Sequence, residues 1–429
     1  MERATLLAAG AAAAALAAGA VWLLPSPPGW VRAPDWARGS QWAGALSNLC
    51  LVPQTSADHS PLAADFGSFD RTMRDWVAAN RVTAASLAVM RDNRLVLARG
   101  YGERRAGDRV PVWGLSKAIT AACVASLVDE GRLGFDDRIG PLLTSFFQRA
   151  GPPADERLAG VTVGQLLSQH SGLRGPGPWG EFVPGVSALL ARTRPERLRV
   201  DMVAPAVAAM RLQAGPGERF EYSHVNYLLL GEIIEAKAGK PYADACRERV
   251  LDRAGIANAD LAPRWGALTW AAGGWALSGP EYLAFARLLY PQRPDPLGPV
   301  SRAWLNDPEG KWANAGHTHA ATLGVYLHRE PDGSANFRAG GSWYWHQKNA
   351  AGGPIDEQSG ATFFTRPDGT AVFASFEGLS SDRDRSALAM RDLDRALGQD
   401  ARAVTAWPGR DLFGAFGIPS SLNTVQTGR

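Results

Sequence analysis

A chain of 429 residues is long enough for one large domain or two ordinary ones, each able to bury a substantial core. Hydrophobic residues make up 46% and charged residues 20%, which excludes a disordered chain and a polytopic membrane protein. The formal net charge is +3 with no block of Lys or Arg, so no nucleic-acid partner is expected.

Residues 1–24 read as a targeting segment. After Glu2-Arg3 the chain is uncharged from Ala4 to Leu24 and is then broken by Pro25-Ser26-Pro27-Pro28-Gly29. Ala18-Gly19-Ala20 has the small-x-small form of a signal-peptidase site, and the run also reaches the length of a membrane span, about 20 residues. A cleaved signal and an N-terminal membrane anchor both fit, and the weak apolarity of alanine favours the signal. Either one places the bulk of the protein outside the cytoplasm, in the periplasm or held on the outer side of the cytoplasmic membrane.

Residues 25–64, rich in Pro, Gly, Ser and Trp, lack periodicity and read as a linker or extension. A folded domain is expected over 65–400 and a C-terminal tail over 401–429. Met73, Trp76 and Val77 stand at helical spacing within Asp70–Asn80. Ala85–Met90 and Arg94–Arg99 read as strands around the turn Arg91-Asp92-Asn93. A long helix is predicted over Ser116–Glu130, stopped by Gly131, and further helices over Tyr227–Ala238, Glu281–Tyr290 and Ser386–Leu397. Leu323–His328, Ala361–Thr365 and Ala371–Phe376 are strand-like, the last two joined by the turn Arg366-Pro367-Asp368-Gly369-Thr370. Strands at both ends with helices between predict an α+β domain: one antiparallel sheet completed by both chain ends and flanked by helices, with an all-helical insertion.

Cys50, Cys123 and Cys246 lie far apart, with neither CxxC nor zinc-ligand spacing. They read as buried or free thiols; a Cys50–Cys246 bridge has no support, and neither a metal nor a cofactor is expected. The tryptophans Trp30, Trp36, Trp42, Trp343 and Trp345 read first as packing aromatics, and otherwise as contacts to a membrane or partner protein.

Several segments carry a resemblance when taken in order. These are Arg99-Gly100-Tyr101-Gly102; Ser116-Lys117-Ala118-Ile119-Thr120-Ala121; Leu127-Val128-Asp129-Glu130-Gly131-Arg132-Leu133 running into Asp136-Asp137; Val161-Thr162 through Leu166-Leu167 to Ser171-Gly172-Leu173; and Gly215-Pro216-Gly217-Glu218-Arg219-Phe220-Glu221-Tyr222-Ser223 followed by Asn226-Tyr227. In this order the chain resembles the β-lactamase-related serine hydrolases: class C β-lactamases, D-alanyl-D-alanine carboxypeptidases and their esterase relatives. The resemblance runs from about Asp70 to Leu397 and implies the β-lactamase/DD-peptidase fold. It also implies acyl transfer through a serine ester, in which the hydroxyl needs a nearby base and the oxyanion needs donors worth about 3 kcal/mol each.

Lys117 matches the family's lysine and Tyr222 its tyrosine, the pair that moves protons across the cleft. The nucleophile position, one helical turn before Lys117, is Gly114, which has no side chain to attack with. Ser116 is the alternative nucleophile, although neighbouring helical residues point about 100° apart. The second motif, Y-x-N, stands as Tyr222-Ser223-His224, so His224 replaces a substrate-binding Asn, with Asn226 as its alternative. The third motif, a basic residue with a glycine on an inner strand, is placed at Trp345-His346-Gln347-Lys348, with His346 as the base and Gln347 beside substrate; His317-Thr318-His319 is the other candidate.

Every chemical motif is altered while the architectural segments are kept. The resemblance therefore implies an envelope-exported family member with lost or altered acyl transfer and a cleft for a peptidoglycan peptide, an ester or another small acyl compound. An active hydrolase using Ser116, and a non-catalytic scaffold, are the competing readings.

Overall fold

The structure, a computed structural model, describes residues 66–174, 203–263, 265–289, 297–308, 318–348, 354–380 and 383–420. The expectations for 1–24 and 25–64, and for Cys50 and His317, fall outside the described residues. None of the described helices is long and apolar enough to cross a membrane.

Helix α1 (Gly67–Asn80) leads into the hairpin β1 (Ala84–Arg91) and β2 (Arg94–Gly102). A short strand β3 (Val110–Pro111) and a 3₁₀ turn (Trp113–Leu115) then feed α2 (Ser116–Asp129). The helical region continues through α3 (His224–Ala238), the short β4 (Asp260–Leu261), α4 (Trp265–Gly273) and β5 (Trp275–Leu277) to α5 (Gly279–Leu289) and α6 (Pro299–Asn306). The chain returns to the sheet through β6 (His319–Ala321), β7 (Tyr326–Arg329), β8 (Ala335–Lys348), β9 (Pro354–Thr365) and β10 (Thr370–Ser380), and ends in α7 (Arg383–Ala403).

The main sheet is antiparallel with strand order β2-β1-β10-β9-β8-β7-β6, so the N-terminal hairpin pairs directly with a C-terminal strand, as expected of an α+β fold built from both chain ends. The helical region also carries a small three-stranded sheet, β3-β5-β4, that the sequence reading lacked. The predicted strand at 323–328 is only half strand, because Gly324 takes φ +73° in the tight turn between β6 and β7.

Both faces of the main sheet are covered, which is why β1 is buried on every residue but its last. One face carries Leu87, Val89 and Val372 against Phe69, Met73 and Trp76 of α1 and Leu393 and Leu397 of α7. The other carries Ala88, Met90 and Phe373 against the helical region. Helix α2 is buried on all sides from Ser116 to Leu127, as a helix through the middle of a core must be.

The segment after α7 does not hang free. Leu412, Phe413 and Ile418 are buried, and Leu412 N–H donates to the Leu95 carbonyl on the edge strand β2. The buried Arg287 of α5 stacks over Phe413 and donates to the Pro419 and Ser420 carbonyls. The described part of the predicted tail, as far as Ser420, is a strap held by apolar burial and by the Arg287 guanidinium.

Candidate active site

The candidate site lies where the first turn of α2, the loop before α3, and strand β8 meet. Trp113 has φ +48°, unusual for a side chain this large, and is fixed by two contacts. Its indole N–H donates to Ser359 Oγ at 3.0 Å and its ring stacks on Trp343 at 5.6 Å between centroids. This conformation aims Gly114 at β8. A Cβ built on Gly114 would lie 2.6 Å from the Gly340 carbonyl oxygen and 3.2 Å from Gly341 Cα. A Cβ on Gly341 would lie 2.1 Å from Gly114 N. The two glycines let the backbones touch, and no volume remains at position 114 for a serine side chain.

Lys117 is buried in the first turn of α2. Its Nζ donates to the Ala272 carbonyl at 2.7 Å and sits 5.5 Å from the Tyr222 ring centroid and 5.7 Å from that of Tyr227. Burial pushes its pKa down to about 7, because the ammonium loses its hydration.

Ser116 points elsewhere. It is fully buried, and its Oγ accepts from Trp275 N–H at 3.1 Å on the β5 side of the helix. Adjacent helical residues diverge, so Ser116, the alternative nucleophile, faces the small sheet while Lys117 borders the hollow.

Tyr222 precedes α3, whose N-cap is Ser223. Its hydroxyl stands 3.5 Å from His224 Nε2, with the rings edge-on. Burial, and then the charge of Lys117, hold the His224 pKa well below its ordinary value, and the positive end of α3 acts in the same sense. His224 is therefore a neutral imidazole facing a tyrosine, unlike the carboxamide of the family motif. Asn226, its alternative, is turned into the core. It is fully buried, its Oδ1 accepts from Ser171 Oγ at 2.6 Å, and its Nδ2 donates to Gln169 Oε1.

The same Gln169 oxygen accepts Ser223 N–H at 3.0 Å, so this residue, itself at φ +62°, sets the loop that presents Tyr222. Sequence reasoning did not single out Gln169. It also did not single out Gly340 and Gly341, although a Gly-Gly pair inside a strand is a recognisable mark of close backbone approach. His346 and Gln347 lie on β8 beyond Gly341, opposite Asp356 and Ile355, and their side chains are outside the described residues. The β8 residues that reach the site are Ala339 and Gly340.

Between these walls lies a hollow of about 20 Å³, bordered by Gly114, Lys117, Gln169, Tyr222, Tyr326 and Gly340 among others. That is room for roughly one water, against roughly 300–1,000 Å³ for a typical ligand pocket.

An antiparallel sheet closed by both chain ends and flanked by helices, with a buried helix whose lysine faces a loop tyrosine, defines the β-lactamase/DD-peptidase fold. The chain belongs to the β-lactamase family, whose model matches residues 69–396. Among curated proteins it is 32% identical to penicillin-binding protein 4 of Amycolatopsis lactamdurans over 185 residues, 41% of this chain and 44% of the relative. It is 26% identical to protein flp of Staphylococcus aureus over 169 residues, 38% of this chain and 31% of the relative. The chain thus spans less than half the length of these relatives. Among solved structures, the octameric penicillin-binding protein homologue from Pyrococcus abyssi superposes with TM-score 0.56 at 19% identity, covering 78% of each chain. EstCE1, a hydrolase with promiscuous acyltransferase activity, gives TM-score 0.56 at 16% identity, covering 77% of this chain and 99% of its own. These two structures share the fold.

Proposed function

We propose that this protein is an envelope-exported member of the β-lactamase family that has given up covalent acyl transfer and uses the fold as a non-catalytic body. The carrying observation is Gly114: the nucleophile position has no side chain, and the main chain of β8 occupies the space one would fill. The narrow hollow supports the same reading, since an acyl group does not fit in the volume of one water. Lys117 and Tyr222 persist as the remnant of the proton-transfer pair. They mark where a peptidoglycan peptide, an ester or another small acyl compound would enter once β8 withdrew. No observation favours Ser116 as nucleophile, because its hydroxyl is engaged by Trp275 and shut off from the hollow.

The test is covalent labelling of the purified chain with a fluorescent penicillin and a fluorophosphonate, read by intact mass. The wild-type chain is expected to take no label, and Gly114→Ser alone is expected to take none either, because restoring the hydroxyl does not move β8. A stoichiometric adduct on any serine of the wild-type chain overturns the reading. Export is tested separately by the N-terminal mass of protein recovered from the envelope fraction.

A further inference from the structure

The hairpin β6–β7 forms the free edge of the main sheet and carries two histidines directly opposite each other, His319 and His328. Arg329 N–H donates to the Thr318 carbonyl at 2.8 Å, so the next pair inward, His319 with His328, is a non-hydrogen-bonded pair, where facing side chains come closest. His328 Nδ1 lies 2.8 Å from His319 Nε2, and the ring centroids are 4.4 Å apart. His319 is exposed and His328 about one-third exposed.

The far nitrogen of each ring is engaged by an oxygen. His319 Nδ1 is 2.9 Å from Thr318 Oγ1, and His328 Nε2 is 3.7 Å from Glu330 Oε1. The two facing nitrogens are held together across the hairpin by a single hydrogen bond, with an oxygen near the far side of each ring.

We propose that His319 and His328 form a two-histidine site for a borderline divalent transition-metal ion, Cu²⁺ or Zn²⁺ in chemical class, with water completing its coordination. At metal–nitrogen bonds of about 2.0–2.1 Å, two ligands subtending a right angle lie about 2.9 Å apart and two subtending a tetrahedral angle about 3.3 Å. The observed 2.8 Å needs only a small opening of the ring pair. When the ion binds, the proton shared by the two facing nitrogens shifts to the far nitrogen of its own ring, so both ligands are neutral imidazoles and no net proton is lost. Neutral imidazoles select Cu²⁺, Ni²⁺ and Zn²⁺ over Mg²⁺ and Ca²⁺, with Cu²⁺ held tightest.

Strand alternation puts this pair on the same face of the hairpin as Ala321 and Tyr326, which border the hollow beside Lys117. A bound ion would pin the hairpin whose turn presses Gly324 against α2. The inference is independent of whether acyl transfer is lost.

The test is calorimetric titration of the full chain with Cu²⁺, compared with His319→Gln and His328→Gln. Both positions are solvent-facing, and metal-free thermal melts confirm that the variants fold like the wild type. The expected result is a saturable one-equivalent event in the wild type, weakened at least about tenfold in each variant. Equal uptake and affinity in all three chains overturns the proposal, as does absence of saturable uptake by the wild type.

Discussion

Gly114→Ala puts the closed site to a test of sign. Gly114 lies in a 3₁₀ turn and is absent from the positive-φ positions, so its backbone is one alanine adopts readily. If β8 stood clear of it, alanine would stabilise the chain by about 0.4–1 kcal/mol through the lower entropy of the unfolded state. In the structure the added methyl meets the Gly340 carbonyl oxygen at 2.6 Å. That oxygen belongs to a strand whose register with β9 pairs Gly340 with Thr362 and Gly341 with Ala361, so it cannot turn aside as a flexible side chain would. Overpacking of this kind costs about 1–3 kcal/mol. The net expectation is a loss of roughly 1–2 kcal/mol, measured as a lower urea midpoint at unchanged slope. Gly341→Ala, with its methyl 2.1 Å from Gly114 N, should lose more. The double variant should lose less than the sum, since one displacement of β8 relieves both. A gain in stability for Gly114→Ala would show that strand and turn are apart in solution and would refute the closed site.

Three further outcomes follow from named contacts. Ser116→Ala strands the buried Trp275 N–H and should lose about 1–3 kcal/mol in denaturant unfolding. Lys117→Met should be more stable than wild type at neutral pH. A lysine with a native pKa of about 7 and an unfolded one of about 10.4 leaves the unfolded state holding more protons between those values, so wild-type stability rises with pH there. The gap between the two chains should therefore change little below pH 7 and narrow by roughly 3 kcal/mol toward pH 10, and a pH-independent gap would refute the desolvated amine. Deleting residues 404–429 removes Leu412, Phe413 and Ile418 from the core and leaves Arg287 buried without its carbonyls, so the truncated chain should melt well below the full one. An unchanged melting temperature would show the strap to be ornamental.

Local signals in the sequence carried much of the fold. Ser116–Asp129 and His224–Ala238 are long apolar helices with clear stops, and the β1–β2 and β9–β10 hairpins have short turn sequences between strand-like runs. Strand β8 was legible only at its Trp345–Lys348 end, where an inner strand was expected; its first part was not, because Gly340 and Gly341 weaken strand propensity and pairing with β7 and β9 makes it a strand. Gly114, Lys117 and Tyr222 were legible because each occupies a motif position. The fates of Ser116 and Asn226 were not, because each is decided by a partner far away in sequence: Trp275 N–H for one, and Gln169 with Ser171 for the other. The C-terminal strap was hidden for the same reason, since its anchor, Arg287, lies on α5.

On the proposed reading, the missing serine and the closed cleft belong to one change. A nucleophile between the α2 turn and the strand edge is itself a wedge; its oxygen and its substrate hold the two backbones apart. With glycine at 114 and at 341 there is no such wedge, and main chain meets main chain. The closed arrangement is fixed from outside the contact, by the Trp113–Trp343 stack and by the Trp113 bond to Ser359 on β9. A serine at position 114 alone therefore does not reopen the cleft, because it meets an occupied space and an aromatic clamp. Replacing Trp343 by a small residue together with Gly114→Ser loosens the clamp and restores the hydroxyl. If covalent labelling ever returns to this chain, this pair is where it should appear, and the single serine should remain silent.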